Sequence, residues 1–342
     1  MSSDALPRII EQLDSLPKTA DSLDFLIVSY GGDPMVAWRM LSLIRQRVKH
    51  VAVLVPQSAY SAATLVAFGA DEIIIHPNGH LGPVDMQITT IGNTGQTKRF
   101  STEDITAFLD FVRDKLRITD QEHIRMLFEV TCKEVGTLGI GFTARSSKLA
   151  IDLGERLLAL HMKDDEDRSK LRSIVENMSR NFQSHSYAVS RREALEIGLP
   201  VKKESDRTLE RLMWRVWIDL ERELKEGIPF DPVFEVLNSS EGSKLLAPVP
   251  QIVVPKAAAV TAHYSASIKD VLDNSKITVN PVDFEFTNAI VESTRLAAIH
   301  TTRGKILATR NPDLTISYNM IQTSRAWATR AKAKTKKKGV KS

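Results

Sequence analysis

The stretch VPQSAYSAATLVAFGADEII, residues 55–74, joins the end of one strand pattern to a helix and then to the next strand. The β-branched run HVAVLVP (50–56) stops at Pro56, and a helix of small apolar residues begins four positions later, with Ser61 at the junction. Serine is common at helix starts because its side-chain oxygen accepts an otherwise unpaired backbone N–H. Ser61 is therefore either a helix cap or a nucleophile placed where a sheet meets a helix.

Strand and helix patterns alternate on both sides of this junction. LDFLIVSY (23–30) is a β-rich run that leads into GGDP, and MVAWRMLSLIRQRV (35–48) has apolar residues at helical spacing. HVAVLVP, AYSAATLVAFGA and DEIIIHP continue the order as strand, helix and strand. A β-α-β-α-β order with short connections predicts an α/β fold, in which a mainly parallel sheet is covered by helices.

The pattern of the chain changes after this region. Helical patterns predominate from STEDITAFLDFVRDKL (101–116) onward, whereas 227–255 is rich in Pro, Gly and Ser, which favour turns and extended chain. Beyond that segment, short β-like runs precede a helical ending. The predicted organisation is a domain over 1–226, a linker or extended arm over 227–255, a small α+β extension over 256–329, and a basic disordered tail over 330–342.

Basic charge is concentrated in that tail. The net charge of the chain is +4, and residues 330–342 hold seven of its 46 Lys and Arg residues and no Asp or Glu. A segment of this composition is expected to be solvated and disordered, or to make weak, non-specific contacts with polyanions. The basic balance of the chain therefore says little about its folded part.

Composition also excludes several classes of protein. No apolar run reaches the ~18 residues that a membrane span needs, and the first residues, MSSDALPRIIEQLDSL, lack the apolar segment of a secretory signal. The single cysteine, Cys132, rules out an intrachain disulfide framework and a cysteine-cluster metal site. The eight histidines show no ligand spacing such as HExxH. We expect a cytoplasmic protein with no metal and no cofactor.

Three consecutive strand ends carry residues suited to acyl-transfer chemistry. Gly31 and Gly32 follow the first strand, Ser61 follows the second, and Asp85 follows the third in the tight turn LGPVD. Open α/β sheets bind ligands beyond the carboxyl ends of their strands. Glycines there let backbone N–H groups approach a developing oxyanion, as acyl transfer requires. The pair GG does not match GxGxxG, so dinucleotide binding is not predicted.

Four ordered blocks of the chain resemble the serine dehydrogenase proteinase family, which is related to signal peptide peptidase A. They are SYGGDP (29–34), SAYSAATLVAFGADEI (58–73), LGPVD (81–85) and SHSYAVSRREALEIGLPV (184–201). The resemblance implies the Clp-protease/crotonase fold, a spiral of ββα units with a helical layer that is usually assembled into homo-oligomers. It also implies ATP-independent serine peptidase activity on a peptide or protein substrate.

The resemblance further implies roles for particular residues. Ser61 matches the nucleophile of the family, and the pair Gly31–Gly32 matches the glycines whose amides form the oxyanion hole. His185 matches a recurring histidine of the last block and is the predicted base, with Asp85 as its acid partner. Signal peptide peptidases use a Ser–Lys dyad instead, and Lys98, which is predicted on an exposed loop, is the alternative base.

Two other functions stay open at this point. A non-catalytic Clp-fold scaffold would use the glycine turn and the small helix for packing, with Ser61 as a cap. Crotonase-type acyl-CoA chemistry would use the same oxyanion hole without a serine nucleophile. In each case the helices over 101–181 carry more apolar surface than a covering layer needs, which predicts a homo-oligomer built through them.

Overall fold

The computed structural model describes residues 1–84, 87–91, 97–180, 182, 184, 186–203, 206–248, 269, 271–272 and 275–332. The chain divides into two units, Met1–Ile218 and Asp219–Ser342. The sequence predicts a boundary after residue 226, whereas the division falls a few residues earlier, inside a long helix. The two units are described separately, and the helix that crosses the division is given with the first.

The first unit begins with a 3-10 turn, Ser3–Ala5, and includes a π-helical turn, Phe111–Lys115, directly after its fourth α-helix. Its other elements follow in this order: α1 (Leu6–Asp14), β1 (Ser22–Leu26), α2 (Pro34–Arg47), β2 (His50–Val55), β3 (Ser58–Ala59), α3 (Ala62–Phe68), β4 (Glu72–Ile75), β5 (His80–Leu81), β6 (Gln87–Ile91), β7 (Thr97–Ser101), α4 (Thr102–Asp110), α5 (Gln121–Val135), α6 (Thr137–Leu158), α7 (Asp165–Arg180), α8 (Arg191–Ile197) and α9 (Arg207–Leu224).

Strands β1, β2 and β4 form a parallel sheet in the order β1-β2-β4. Ser22 pairs with His50 at the start of β1, and Ala52 pairs with Glu72 at the start of β4. Every residue of β2 after His50 is buried, as expected for a parallel strand covered on both faces. The predicted parallel sheet and the α/β class are confirmed. β3 and β5 form a second, two-stranded parallel pair.

Helix α3 is buried along its whole length, from Ala62 to Phe68. Its first residues are small, so α2 and α6 can pack closely against it. Gly69 ends the helix, and a methyl group on its Cα would lie 2.9 Å from Leu41 Cγ of α2 and 3.1 Å from Leu157 Cδ2 of α6. Close packing therefore requires small residues at both ends of α3. It also fixes the position of this helix, which begins at the residue after Ser61.

Thr64 ties α3 to two turns at the edge of the sheet. Its hydroxyl is buried and lies 2.7 Å from the carbonyl oxygen of Ala59 and 2.8 Å from that of Gly82. The Gly82 N–H also donates to the Ala59 carbonyl, at 2.8 Å. One side chain of α3 thus joins the turn before Ser61 to the Gly-Pro turn that leads towards residue 85.

We expect Gly69→Ala to lower the free energy of unfolding by about 1–3 kcal/mol, because the added methyl group overpacks the contact between α2, α3 and α6. Gly141→Ala is the matched control, since Gly141 lies in α6 with no atom within 4 Å of the position of an added Cβ. It should raise the free energy of unfolding by about 0.5–1 kcal/mol through helix propensity. Urea unfolding of both variants measures the two changes, and effects of the same sign would contradict this account of the packing.

The second unit contains α10 (Pro232–Leu237), α11 (Gly242–Leu245), β8 (Ile277–Thr278), β9 (Val282–Glu292), β10 (Leu296–Arg310) and β11 (Ile316–Ala331). β10 pairs antiparallel with β8, β9 and β11. The core of the unit brings together Val236, Leu245, Phe284 and Ile306. Residues 227–248, which the sequence predicts as part of a linker, instead contain α10 and α11. These helices contribute Val236 and Leu245 to this core.

The end of the second unit is a strand, so the predicted helical ending is wrong. Residues 316–331 form β11, in register with β10 from Ile316 opposite Arg310 to Ala331 opposite Leu296. Alanine and arginine favour helix locally, but pairing along the whole of β10 overrides that preference. The predicted tail starts at residue 330, yet β11 continues through Ala331, and residues 333–342 lie outside the described residues.

Candidate active site

Ser61 has a backbone conformation that residues with side chains rarely adopt. Its φ is 53° and its ψ is −115°, a combination that costs on the order of 1–3 kcal/mol and persists only where the surroundings enforce it. The Tyr60 N–H donates to the Ser29 carbonyl at 2.9 Å, which holds the chain just before the turn. Only Tyr60 and Ser61 separate β3 from α3, so these two residues make the entire turn from strand to helix.

The hydroxyl of Ser61 does not cap α3. Ser61 occupies the N-cap position, but its side chain makes no hydrogen bond to the helix. The interpretation of Ser61 as a helix cap is therefore wrong. Strained strand-to-helix turns that present a serine oxygen are typical of hydrolase nucleophiles, and the strain and the uncapped hydroxyl both favour that alternative.

Gly31 packs directly against Ser61. A methyl group on its Cα would lie 2.8 Å from Ser61 Cβ and 2.9 Å from the Tyr60 carbonyl oxygen, and its φ of +102° is one that favours glycine. The structure thus brings together two of the residues that the sequence predicts in the site. The Gly31 N–H donates to Ser29 Oγ at 3.1 Å, so this amide already has a partner.

Gly32 lies against the backbone of Met1. Its φ is +138°, and a methyl group on its Cα would overlap the Met1 main chain. The Asp33 N–H donates to the Met1 carbonyl at 3.0 Å, and the Met1 amino group donates to the Gly31 carbonyl. Burial lowers the pKa of that amino group. Met1 therefore fills the space in front of Gly32.

Two backbone N–H groups make no hydrogen bond to any residue that the structure describes, namely that of Gly32, which follows Gly31 in the chain, and that of Ala62, which follows Ser61. The nitrogen of Ala62 lies 3.2 Å from the position of a Cβ on Gly31. In strand-to-helix serine sites, the N–H that follows the nucleophile commonly serves the oxyanion hole. The residue type of Ala62 gives no sign of this role, because any residue except proline carries a backbone donor; the one signal in the sequence is its position after Ser61.

His80 lies near this turn, although the sequence analysis gave it no role. It belongs to β5, and its ring meets the edge of the Tyr60 ring with centroids 5.4 Å apart. Burial lowers the pKa of His80 and raises the pKa of Tyr60. An imidazole in contact with Tyr60, the residue before the candidate nucleophile, is chemically able to accept a proton in its neutral form.

The predicted base and acid, His185 and Asp85, lie outside the described residues. The chain segments that lead to them leave from adjacent positions, because Leu81 and Val189 form an antiparallel bridge. Lys98, the alternative base, lies in strand β7 opposite Thr90 of β6, so its prediction as a loop residue is wrong. The physical reason is that the backbone around Lys98 pairs with β6 in an antiparallel ladder.

Within the part of the chain that the structure describes, no three His, Cys, Asp or Glu side chains come together in a group that could hold a metal ion. Among the described helices, none combines the length and the apolar character that crossing a membrane requires.

Known proteins are similar to this chain over parts of its length. Residues 3–110 match the family of ClpP-like SDH-type serine proteinases. The predicted family resemblance is confirmed over this segment, which includes Gly31, Gly32 and Ser61 but not His185. Two proteins of Methanocaldococcus jannaschii are also similar. Uncharacterized protein MJ0137 is 24% identical over 193 residues, or 56% of this chain and 57% of that protein. Uncharacterized protein MJ1495 is 24% identical over 191 residues, or 56% of each. The chain spans little more than half the length of these relatives.

We expect Ser61→Gly to raise the free energy of unfolding by about 1 kcal/mol, because glycine relieves the strain at this φ and ψ at a smaller cost in backbone entropy. Ser173→Gly, in the exposed middle of α7, is the matched control and should lower it by about 0.5–1 kcal/mol. Thermal or urea unfolding measures both. A Ser61→Gly variant as destabilised as the control would mean that the Ser61 backbone is unstrained.

Proposed function

We propose that this chain is a serine peptidase in which Ser61 attacks the carbonyl carbon of a peptide bond. The observation that carries the proposal is Ser61, whose backbone is strained and whose hydroxyl does not cap α3. Gly31 packs so closely against it that a residue with a side chain would not fit there. The match to ClpP-like SDH-type serine proteinases supports the peptidase class of chemistry. A scaffold protein has no need of such a turn, since a relaxed serine would cap α3 and stabilise it.

The chemistry follows from the groups beside Ser61. A base takes the hydroxyl proton as Ser61 Oγ bonds to the peptide carbonyl carbon, and the carbonyl oxygen becomes negatively charged. The Gly32 and Ala62 N–H groups are the donors suited to that oxygen. The base then gives its proton to the leaving amine, and water hydrolyses the acyl-enzyme by the same steps. A substrate that reaches Gly32 must displace Met1.

We propose His185 as the base, with Asp85 holding its imidazole. The bridge between Leu81 and Val189 supports this pairing, since it brings together the chain segments that lead to residues 85 and 185. His80 and Lys98 are the competing bases, and both lie inside the segment that matches the family.

A fluorophosphonate probe tests the nucleophile, because only an activated serine is labelled. We expect the full chain to be labelled and Ser61→Ala to lose at least about 100-fold in labelling rate, as removal of a serine nucleophile does. Ser58→Ala is the control, since Ser58 is buried in β3, and it should keep its labelling. Absence of labelling in the unmutated chain would favour the scaffold or acyl-CoA readings over a peptidase.

The same probe separates the candidate bases. His185→Ala should lose as much labelling as Ser61→Ala, because members of a catalytic triad act as a unit, and Asp85→Ala should lose somewhat less. Lys98→Ala should be nearly silent. Full labelling of His185→Ala together with loss in Lys98→Ala would assign a Ser–Lys dyad, and loss in His80→Ala alone would assign His80 as the base.

We also propose that the chain forms a homo-oligomer through the helices that follow β7. Large apolar side chains of this region are exposed, among them Phe108, Phe111, Leu116, Met126, Phe128 and Val130. Exposed apolar patches of this kind mark interaction surfaces. Clp-type peptidases usually assemble, so a second copy of the chain is the partner that this surface is expected to take.

Light scattering at micromolar concentration should show an oligomer. The double variant Met126→Glu/Val130→Glu places charges on one face of α5 and should dissociate it, because burying unpaired carboxylates in an interface is unfavourable. Ile10→Glu, on the exposed side of α1, should leave the oligomer intact. A monomer in the unmutated chain, or equal dissociation in the control, would contradict an interface at α5.

A further inference from the structure

An open cavity of about 760 Å³ lies in the first unit, and none of the residues assigned to the Ser61 site lines it. Its walls come from the turn after β4, with His76 and Asn78, and from the first turns of α9. This turn stands at the carboxyl end of a parallel strand, where α/β sheets commonly bind ligands. The volume falls within the range of about 300–1,000 Å³ that small-molecule sites occupy.

One wall of the cavity is strongly basic. Arg207, Arg211 and Arg215 of α9 all line it and are exposed. Their spacing of four residues puts them on one face of the helix, about 6 Å apart from turn to turn. No ion pair joins any of the three to a carboxylate in the described part of the chain. The carboxylate on this wall, Glu210, lies 3.2 Å from the guanidinium of Arg191, so it offsets little of their charge.

Aromatic rings lie beside the arginines in the lining of this cavity. Trp214 of α9 stacks on His76 with ring centroids 5.1 Å apart and an angle of 19° between the planes. His76 Nδ1 accepts from the Asn78 N–H at 3.1 Å. Burial lowers the pKa of His76, which favours the neutral form of its imidazole. The pair therefore adds a flat, uncharged surface next to a row of guanidinium groups.

We propose that this cavity binds a nucleotide, with its phosphates on the guanidinium groups of Arg211 and Arg215 and its base against Trp214. Guanidinium groups bind phosphate oxygens in bidentate fashion, and bases stack readily on aromatic side chains. An acidic peptide would use the arginines but would leave the aromatic surface unused, so the combination favours the nucleotide. The site is a binding site only, and it is independent of the peptidase proposal.

Calorimetric titration of the full chain at low salt tests the assignment. ADP should bind with a micromolar dissociation constant, and inorganic pyrophosphate should bind about tenfold more weakly because it lacks a base to stack. An aspartate-rich peptide should bind more weakly than ADP. Absence of ADP binding at millimolar concentration, or tighter binding of the peptide, would overturn the proposal.

Three variants locate the site and separate its two halves. Arg211→Ala/Arg215→Ala should weaken both ADP and pyrophosphate at least about tenfold, since each removes a charge-assisted hydrogen bond to phosphate. Trp214→Leu should weaken ADP about tenfold and leave pyrophosphate unchanged. Arg172→Ala, an exposed arginine of α7 that pairs with Glu176, is the control and should change neither. Unchanged ADP binding in the arginine variant, or equal effects of Trp214→Leu on both ligands, would refute the assignment.

Discussion

The absent side chain of Gly31 is the constraint on which the candidate site depends. The loop after β1 and the turn between β3 and α3 approach so closely that no Cβ fits at this position. That contact, with the hydrogen bond from Tyr60 to Ser29, holds the chain where Ser61 turns. The backbone strain at Ser61 persists because both of its neighbouring segments are fixed by other interactions.

Most of those interactions come from the burial of α3. Every residue of α3 is enclosed, and the close approach of α2 and α6 at Gly69 leaves the helix no freedom to relax the turn before it. Thr64 adds a polar tie from the buried side of α3 to both flanking turns. The hydrophobic core thus supplies the free energy that maintains a locally unfavourable backbone, a distribution common at functional sites.

The carboxyl ends of the parallel strands present chemistry of two kinds. After β1 and β3, the chain presents glycines, a serine hydroxyl that does not cap α3, and backbone donors without a partner among the described residues, which suit attack on a carbonyl and stabilisation of an oxyanion. After β4 it presents His76, whose ring lies against Trp214 beside the arginines of α9. Both sets follow from parallel strands, since only a parallel sheet collects its strand ends at one edge.

The sequence by itself determined the strand and helix order of the first unit, the α/β class and the position of Ser61 at a strand-to-helix junction. These follow from local periodicity and from breakers such as Pro56, which act over a few residues. It did not determine that Ser61 leaves α3 uncapped in a strained turn against Gly31, or that residues 316–331 pair as a strand. Only the tertiary structure decided these points, because each depends on a segment distant in sequence: Gly31 from Ser61, and β11 from β10. Long-range contacts of this kind override local preference whenever burial or ladder hydrogen bonds outweigh it.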